Sequence, residues 1–486
     1  MISDEIKYEI VQAFGFEPTA DQCHALNVFA QFLTDRSPEA VMILRGSAGT
    51  GKTSLAGAIV RTMKKLKQRV LLLAPTGRAA KVFALNSEHE AYTIHRRIYR
   101  EKVYEGLDGQ FNLNRNTYRD TLFMVDESSM IANQGLGDSS FGSGRLLDDL
   151  VKFVYEGQND RLLLIGDKAQ LPPVGEIESP ALSAQQLAGY GLRVYECDLD
   201  EVLRQSSESG ILYNATTIRR MITLDTATTM PKLRFQGFAD IVMVPGNELV
   251  DALASSYSHV GMDETTVITR SNKRANIYNQ GIRGSVLDRE DVLNTGDLLM
   301  IVKNNYYWVT EENARAVEGE KCSMSFIANG DRAVVLKVRN IRDLYGFSFA
   351  DVLLRFPDYD DYEMQTTVVL DSLTTESPAL TREQNERLYQ GVMEDYADLS
   401  TKTARLTELR KDIYFNALQI KYGYSFTCHK AQGGQWSHVY IDQGYMPDDM
   451  LTPDYIHWLY TAFTRATEKL FLVNWPKSQI EEQIIK

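Results

Sequence analysis

The stretch Gly46-Ser47-Ala48-Gly49-Thr50-Gly51-Lys52-Thr53 has the form G-x-x-x-x-G-K-[ST], and Ser54 leads from it into a helix-forming run, Leu55 to Met63. Residues of these types at this spacing hold phosphates. The glycines let backbone N–H groups curl around phosphate oxygens at a helix N-terminus, Lys52 supplies a point charge for the β and γ phosphates, and the Thr53 hydroxyl can ligate magnesium. A second constellation, Leu122-Phe123-Met124-Val125-Asp126-Glu127, ends an apolar strand in two adjacent carboxylates. Asp126 is placed to hold the metal, and Glu127 to orient and deprotonate an attacking water. A third, Leu163 to Pro173, follows another apolar run and carries Gly166, Asp167 and Gln170. Gln170 there could sense a γ-phosphate, or the segment could be an ordinary Gly-Asp turn. Together these residues predict a site for ATP and Mg2+.

The elements that must position them are short. Val41 to Leu44, Val70 to Leu73, Leu122 to Val125 and Leu162 to Ile165 are apolar runs separated by helix-like stretches, the rhythm of a parallel sheet with helices on both faces. Similar runs return at Val267 to Thr269, Val439 to Asp442 and Leu470 to Val473, which predicts a second α/β core assembled from distant pieces. Two insertions are expected. Between Ile98 and Thr121 the pattern reads as a β-hairpin with Phe111 near its tip. From about Asp291, strand-like runs Leu298 to Val302, Ala333 to Val338 and Asp351 to Phe356 predict a small β-barrel, and Thr381 to Leu409 then reads as two packed helices, with Thr381 and Gln384 in the form of a capping box. The glycine- and serine-rich stretch Ala132 to Arg145 reads as a loop.

Composition narrows the class. A chain of 486 residues corresponds to roughly three domains at about 100 to 200 residues each. With 52 basic and 65 acidic residues the net charge is -13, so an overall positive field that coats nucleic acid is excluded, whereas a local basic groove is not, because exposed charges are screened beyond about 10 Å. Cys23, Cys197, Cys322 and Cys428 form no C-x-x-C, so free thiols are expected rather than a zinc cluster or disulfide framework. No apolar run approaches the roughly 18 residues of a membrane span, and the first residues have no signal-peptide form. A soluble, cytoplasmic chain with no membrane partner is expected.

Several further segments join these motifs in a fixed order: Thr19-x-x-Gln22, Ala74-Pro75-Thr76-Gly77-Arg78-Ala79-Ala80-Lys81, Thr93-Ile94-His95, Val125 to Met130, Leu203-Arg204, Thr427-Cys428-His429-Lys430-Ala431-Gln432-Gly433 and Tyr460-Thr461-Ala462-Phe463-Thr464-Arg465. This ladder resembles that of superfamily 1 DNA helicases, and more narrowly the RecD-like and Dda-type branch, superfamily 1B. Phe326 to Asp331 resembles a segment of the SH3-like insert found there. The resemblance implies an α/β fold of two RecA-like cores with a pin hairpin, an SH3-like β-barrel and a helical insert. The expected domains are a first core over 1–210 with the pin at about 98–120, a second core over 211–290 and 416–486, the SH3-like insert over 291–375 and the helical insert over 376–415.

Carried onto this chain, the resemblance implies that Gln22 bonds adenine and that Arg204 and Arg465 approach the γ-phosphate from the second core. It implies that Pro75, Thr76, Arg78, His95, Thr427 and His429 line a groove for the phosphate backbone of single-stranded DNA, and that Phe111 stacks on a base at a duplex junction. Bland roles stand beside these. Thr76 could cap the following helix, His95 and His429 could be core histidines, and an aromatic on a hairpin can pack locally. Gln435 stands where many relatives outside the branch carry an acid. The implied activity is ATP-driven 5′-to-3′ movement by a monomer, about one nucleotide per ATP, with duplex separation at the pin. Two other classes are a DNA-stimulated ATPase that remodels a protein–DNA complex, with the helical insert as docking surface for a protein partner, and a motor subunit of a recombination or nuclease assembly.

Overall fold

The computed structural model describes residues 2–101, 111–135, 141–201, 208–223, 230–315, 324, 326–446 and 451–481. Two parallel sheets and one closed barrel organise them. In the first sheet, six strands lie in the order Ala91–Thr93, Arg69–Ala74, Thr121–Val125, Arg161–Gly166, Ala40–Gly46 and Arg193–Leu199. All neighbours are parallel. The central strands Ala40–Gly46 and Arg161–Gly166 are buried along their whole length, which is why their sequences are continuous apolar runs rather than alternating ones. Helices cover both faces, so the carboxyl ends of the strands are left to carry the loops of the site.

The second sheet is also parallel, in the order Ser425–Thr427, Thr265–Thr269, Trp436–Asp442, Ala466–Val473 and Ile241–Val244. The expectation of a second core built from distant pieces is met, and both cores are parallel α/β sheets. The helix Pro453–Phe463 packs within this core, starting from Thr452, whose hydroxyl accepts the Tyr455 N–H at 3.2 Å, and from Pro453 in its first turn.

Between the two halves of the second core lies the barrel, made of Leu298–Ile301, Arg332–Leu344, Phe347–Phe356, Tyr362–Val369 and Leu418–Tyr422. The fifth strand is a correction to the expected boundaries, which gave residues from 416 onward to the second core. Leu418–Tyr422 pairs antiparallel with Leu298–Ile301 and parallel with Tyr362–Val369, and only with it does the edge of the sheet disappear. The expected helices, Arg382–Asp395 and Lys402–Leu409, are therefore an excursion between the fourth and fifth barrel strands. Thr381 and Gln384 form the capping box in both directions. Leu388, Val392 and Leu409 pack on Phe347, Phe349 and Val369 of the barrel.

The barrel meets the first core at Asp331. This carboxyl is buried and accepts Ala328 N–H at 2.7 Å and the Tyr359 hydroxyl at 3.0 and 3.1 Å. A Cβ on Gly77 would come within 2.9 Å of Asp331 Oδ1 and 3.1 Å of Tyr359 Oη, so only glycine lets the barrel sit this close. Lys81 adds a bond to Pro357 O at 2.6 Å. Burial pushes the Asp331 carboxyl up to about 7. A raised folded-state value means that the neutral acid stabilises the fold fully below about pH 4, where the unfolded carboxyl is also protonated. That stabilisation is lost as pH rises toward 7. Asp331→Asn is accordingly expected to flatten the fall in thermal midpoint between pH 4 and pH 7, read by calorimetry across that range. An unchanged slope would show that Asp331 does not titrate there.

Candidate nucleotide and nucleic-acid site

Gly46 begins the phosphate loop at the carboxyl end of its strand. A Cβ there would meet Thr50 Oγ1 at 2.7 Å, Leu199 Cβ at 3.0 Å and Lys52 Cγ at 3.1 Å. Gly49 and Gly51 both adopt φ +79°, a left-handed geometry costly for other residues. The helix Lys52–Lys65 opens directly on this loop, which brings Thr53 and Ser54 into its first turn. Lys52 Nζ donates to Gly46 O at 2.7 Å and Ser47 O at 2.8 Å, which folds the ammonium back over the loop. Gln22 is buried beside it. Its Oε1 accepts Thr19 N–H at 3.0 Å in a capping box, and its Nε2 donates to Thr50 O at 2.9 Å. The side chain expected at adenine thus also ties the N-terminal helix to the phosphate loop.

Asp126 and Glu127 follow the strand Thr121–Val125. Glu127 sits at φ +50°, an unfavourable conformation for a non-glycine residue that is found mainly where the surroundings impose it. Asp126 Oδ1 accepts the Glu127 N–H at 2.9 Å. Burial, with the neighbouring Glu127 charge, holds the Asp126 carboxyl well above the usual range, and Lys52 pulls the other way. Two partly enclosed carboxylates short of counter-charge are the donor set a divalent cation satisfies, with the Thr53 hydroxyl at the start of the adjoining helix. Gln170 is buried, and among the described residues its Oε1 has no hydrogen-bond partner. An orphaned acceptor of this kind costs free energy unless a ligand or water supplies the donor. The residues therefore fit a magnesium-bound triphosphate.

The second core closes over the same loop. Arg465 is 2% exposed, and its guanidinium donates to Thr461 O at 3.0 Å, Gly434 O at 3.2 Å and Thr464 Oγ1 at 3.1 Å. Its Nη1 lies 3.9 Å from Glu127 Oε1. A buried cation held mainly by neutral oxygens is well disposed toward an incoming anion. Arg204, the other expected finger, lies outside the described residues. Sequence reasoning missed two further groups. Arg219, on the helix Gly210–Thr223, donates to Ser47 Oγ at 2.9 Å and also pairs with Asp200. The Tyr460 hydroxyl accepts the Ala48 N–H at 3.0 Å and donates to Asp167 Oδ2 at 2.6 Å. Arg219 carries no sequence signal beyond a charge on an amphipathic helix, whereas Tyr460 stands inside a motif whose arginine alone drew notice.

The residues expected at nucleic acid separate into two groups. Pro75, Thr76 and Arg78 follow the strand Arg69–Ala74, and Thr427 ends the strand Ser425–Thr427 with His429 just beyond it, so both sets lie at the carboxyl ends of their sheets. They approach one another across the two cores, since a Cβ on Gly433 would fall 3.0 Å from Thr76 Oγ1. Thr76 also caps its helix, accepting Ala79 N–H at 3.2 Å. Arg78 lies 4.4 Å above the Trp436 ring and donates to Gln435 O, so it braces the two cores. His95 packs 4.9 Å from Phe141 and 5.6 Å from Tyr99, and burial lowers it to about 4, which favours the neutral ring. His429 is exposed.

Phe111 is the clear correction. The tip of the expected hairpin, 102–110, lies outside the described residues, but Phe111 pairs with Glu101 in the antiparallel stem and is 6% exposed. Its ring stacks on Phe141 at 4.9 Å and meets Tyr306 at 4.1 Å. Removing a large apolar ring from water outweighs leaving it free for a base. Phe111→Ala is thus expected to cost about 3–5 kcal/mol of stability, measured by denaturant unfolding. A loss under about 1 kcal/mol would mean the stem relaxes around the gap.

An AAA domain family model matches residues 19–220, and a model of the UvrD-like helicase C-terminal domain matches 422–473. The ATP-dependent RecD2 DNA helicase of Deinococcus radiodurans is 24% identical over 453 residues, spanning 91% of this chain and 48% of that protein. Over residues 19–220 and 422–473 the chain is similar to an AAA domain and to a UvrD-like helicase C-terminal domain, respectively. The chain spans about half the length of that RecD2 relative. An uncharacterized protein of Acanthamoeba polyphaga mimivirus is 22% identical to it over 521 aligned positions, covering 91% of this chain and 97% of the other. Among solved structures, the Bacteroides Pif1 helicase in complex with ADP-AlF3 and ssDNA aligns over 96% of this chain and 95% of its own, with 14% identity and a TM-score of 0.46. Among the described residues, no helix is long and apolar enough to cross a membrane.

Proposed function

We propose that this chain is an ATP-driven DNA helicase of superfamily 1B that moves 5′ to 3′ along single-stranded DNA and separates the duplex ahead. The observation that carries the reading is the meeting of two cores at one phosphate loop. Lys52, Asp126, Glu127 and Gln170 come from the first; from the second, Arg465 approaches Glu127, Tyr460 meets Ala48 and Arg219 meets Ser47. Loss of the γ-phosphate removes charge that the two cores share and so loosens such a cleft. Bound magnesium, held by Thr53 and Asp126, would supply charge neutralisation at the β and γ phosphates. Glu127 orients water and accepts its proton, while Arg465 offsets the charge that builds on the γ-phosphate oxygens. After hydrolysis the cores part, and the facing segments Pro75 to Arg78 and Thr427 to Gly433 shift relative to each other along the strand.

Polarity decides the reading. A duplex bearing a single-stranded 5′ tail is expected to be unwound with ATP, whereas the same duplex with a 3′ tail is not. Unwinding from the 3′ tail alone would overturn the direction, and DNA-stimulated hydrolysis with no unwinding of either substrate would replace the helicase by a remodelling ATPase.

A further inference from the structure

We propose that Tyr460 is a positioning residue for ATP hydrolysis, locking the first turn of the phosphate loop to the helix that presents Arg465. The inference deepens the helicase reading and rests on it. The phenol is 1% exposed, and its hydroxyl joins three segments: it accepts the Ala48 N–H at 3.0 Å, donates to Asp167 Oδ2 at 2.6 Å, and belongs to the helix Pro453–Phe463 of the opposite core. Asp167 is itself fixed, its Oδ1 accepting Ala169 N–H at 2.9 Å. Burial and the Asp167 charge keep the phenol protonated, so it donates and accepts at once.

The next residues on the helix extend the bridge. Thr461 Oγ1 accepts Leu171 N–H at 2.8 Å, and Thr461 O receives Arg465 Nε at 3.0 Å. One helical turn thus carries three connections: Tyr460 to the phosphate loop, Thr461 to the Gln170 segment, and Thr461 to the guanidinium of Arg465. Arg219 grips the neighbouring loop residue, donating to Ser47 Oγ at 2.9 Å. Consecutive phosphate-loop residues are therefore held from the second core by two different elements. A loop position fixed this way sets where the phosphates lie relative to Arg465. Displacements of about 1 Å at such a site change rates by roughly 10²-fold.

The test is Tyr460→Phe, which keeps the ring and removes only the bridging oxygen, compared with Tyr455→Phe. Tyr455 lies on the same helix, but its hydroxyl donates to Gln443 within the second core. Basal and DNA-stimulated ATPase are measured over a range of ATP. Tyr460→Phe is expected to lower kcat roughly 10- to 100-fold while KM for ATP stays within about threefold, and Tyr455→Phe is expected to match the parent. Asp167→Asn, which weakens the same bridge without changing its shape, should give the same split even if Tyr460→Phe folds poorly. Parental kcat in Tyr460→Phe, an equal loss in Tyr455→Phe, or a rise in KM with kcat unchanged each overturns the assignment. A parent enzyme that ignores DNA would sink the helicase reading instead, while the ratio of basal rates would still decide the role of Tyr460.

Discussion

Arg465→Ala is expected to bind ATP almost as the parent does and to hydrolyse it roughly 10³ to 10⁵ times more slowly. The guanidinium lies 3.9 Å from Glu127 Oε1, the carboxylate proposed to activate water, and it comes from the core opposite the phosphate loop. Its contribution is therefore made to charge that develops during the reaction, not to the ground-state grip on phosphate, and such an interaction lowers kcat rather than raising KM. The side chain also holds Thr461 O, Gly434 O and Thr464 Oγ1, so removing it costs some stability. Arg465→Lys, which keeps a charge near that place without the planar fork, separates the two effects. Fluorescent-nucleotide affinity and single-turnover hydrolysis are the measurements. A variant that hydrolyses within a few-fold of the parent would show that the finger is another residue.

Lys52→Ala should fail differently. Its ammonium is the one cation among the causes that shift Asp126, and it opposes the rise that burial and Glu127 produce. Without it, both the phosphates and the metal-binding carboxylate lose their counter-charge. The expected result is a fall in turnover of roughly 10²- to 10³-fold, together with weaker nucleotide binding and a higher magnesium requirement. Equilibrium binding titrations with and without magnesium distinguish this from Arg465→Ala, where affinity is kept. Normal nucleotide affinity in Lys52→Ala would contradict the placement of the ammonium at the phosphates.

The contrast shows which parts of the site can be read from residue order. Gly46 to Thr53, Asp126, Glu127 and Gln170 are legible because each lies at or shortly beyond the carboxyl end of a buried parallel strand, and such ends converge. Once the strands are recognised, little freedom is left. Arg219 has no such anchor: it is one of many arginines on helix surfaces, and only the packing of Gly210–Thr223 brings it to Ser47. The Phe111 error has a related origin. Alternation in a hairpin fixes which face a side chain takes, but the buried face here is made by Phe141 and Tyr306, and neither is marked in sequence as a neighbour. Leu418–Tyr422 joins the barrel and not the second core, and a short apolar run does not state which sheet it will join. Its partners, Leu298–Ile301 and Tyr362–Val369, lie far upstream. Thr76 and Arg78 illustrate a third limit, since the same hydroxyl and guanidinium that could meet phosphate also cap a helix and brace Trp436.

The late fifth strand of the barrel has a bearing on how the chain is made. The Gly423 N–H bonds Leu298 O at 2.7 Å, so the path leaves this module beside the point where it entered. Such a doorway lets a whole cassette be grafted into, or excised from, a host fold with little disturbance, because the ends to be rejoined already touch. The same geometry delays assembly on the ribosome. Leu298–Ile301 must wait for Leu418–Tyr422 to emerge before the ring can close, while the first α/β unit is already complete and free to fold.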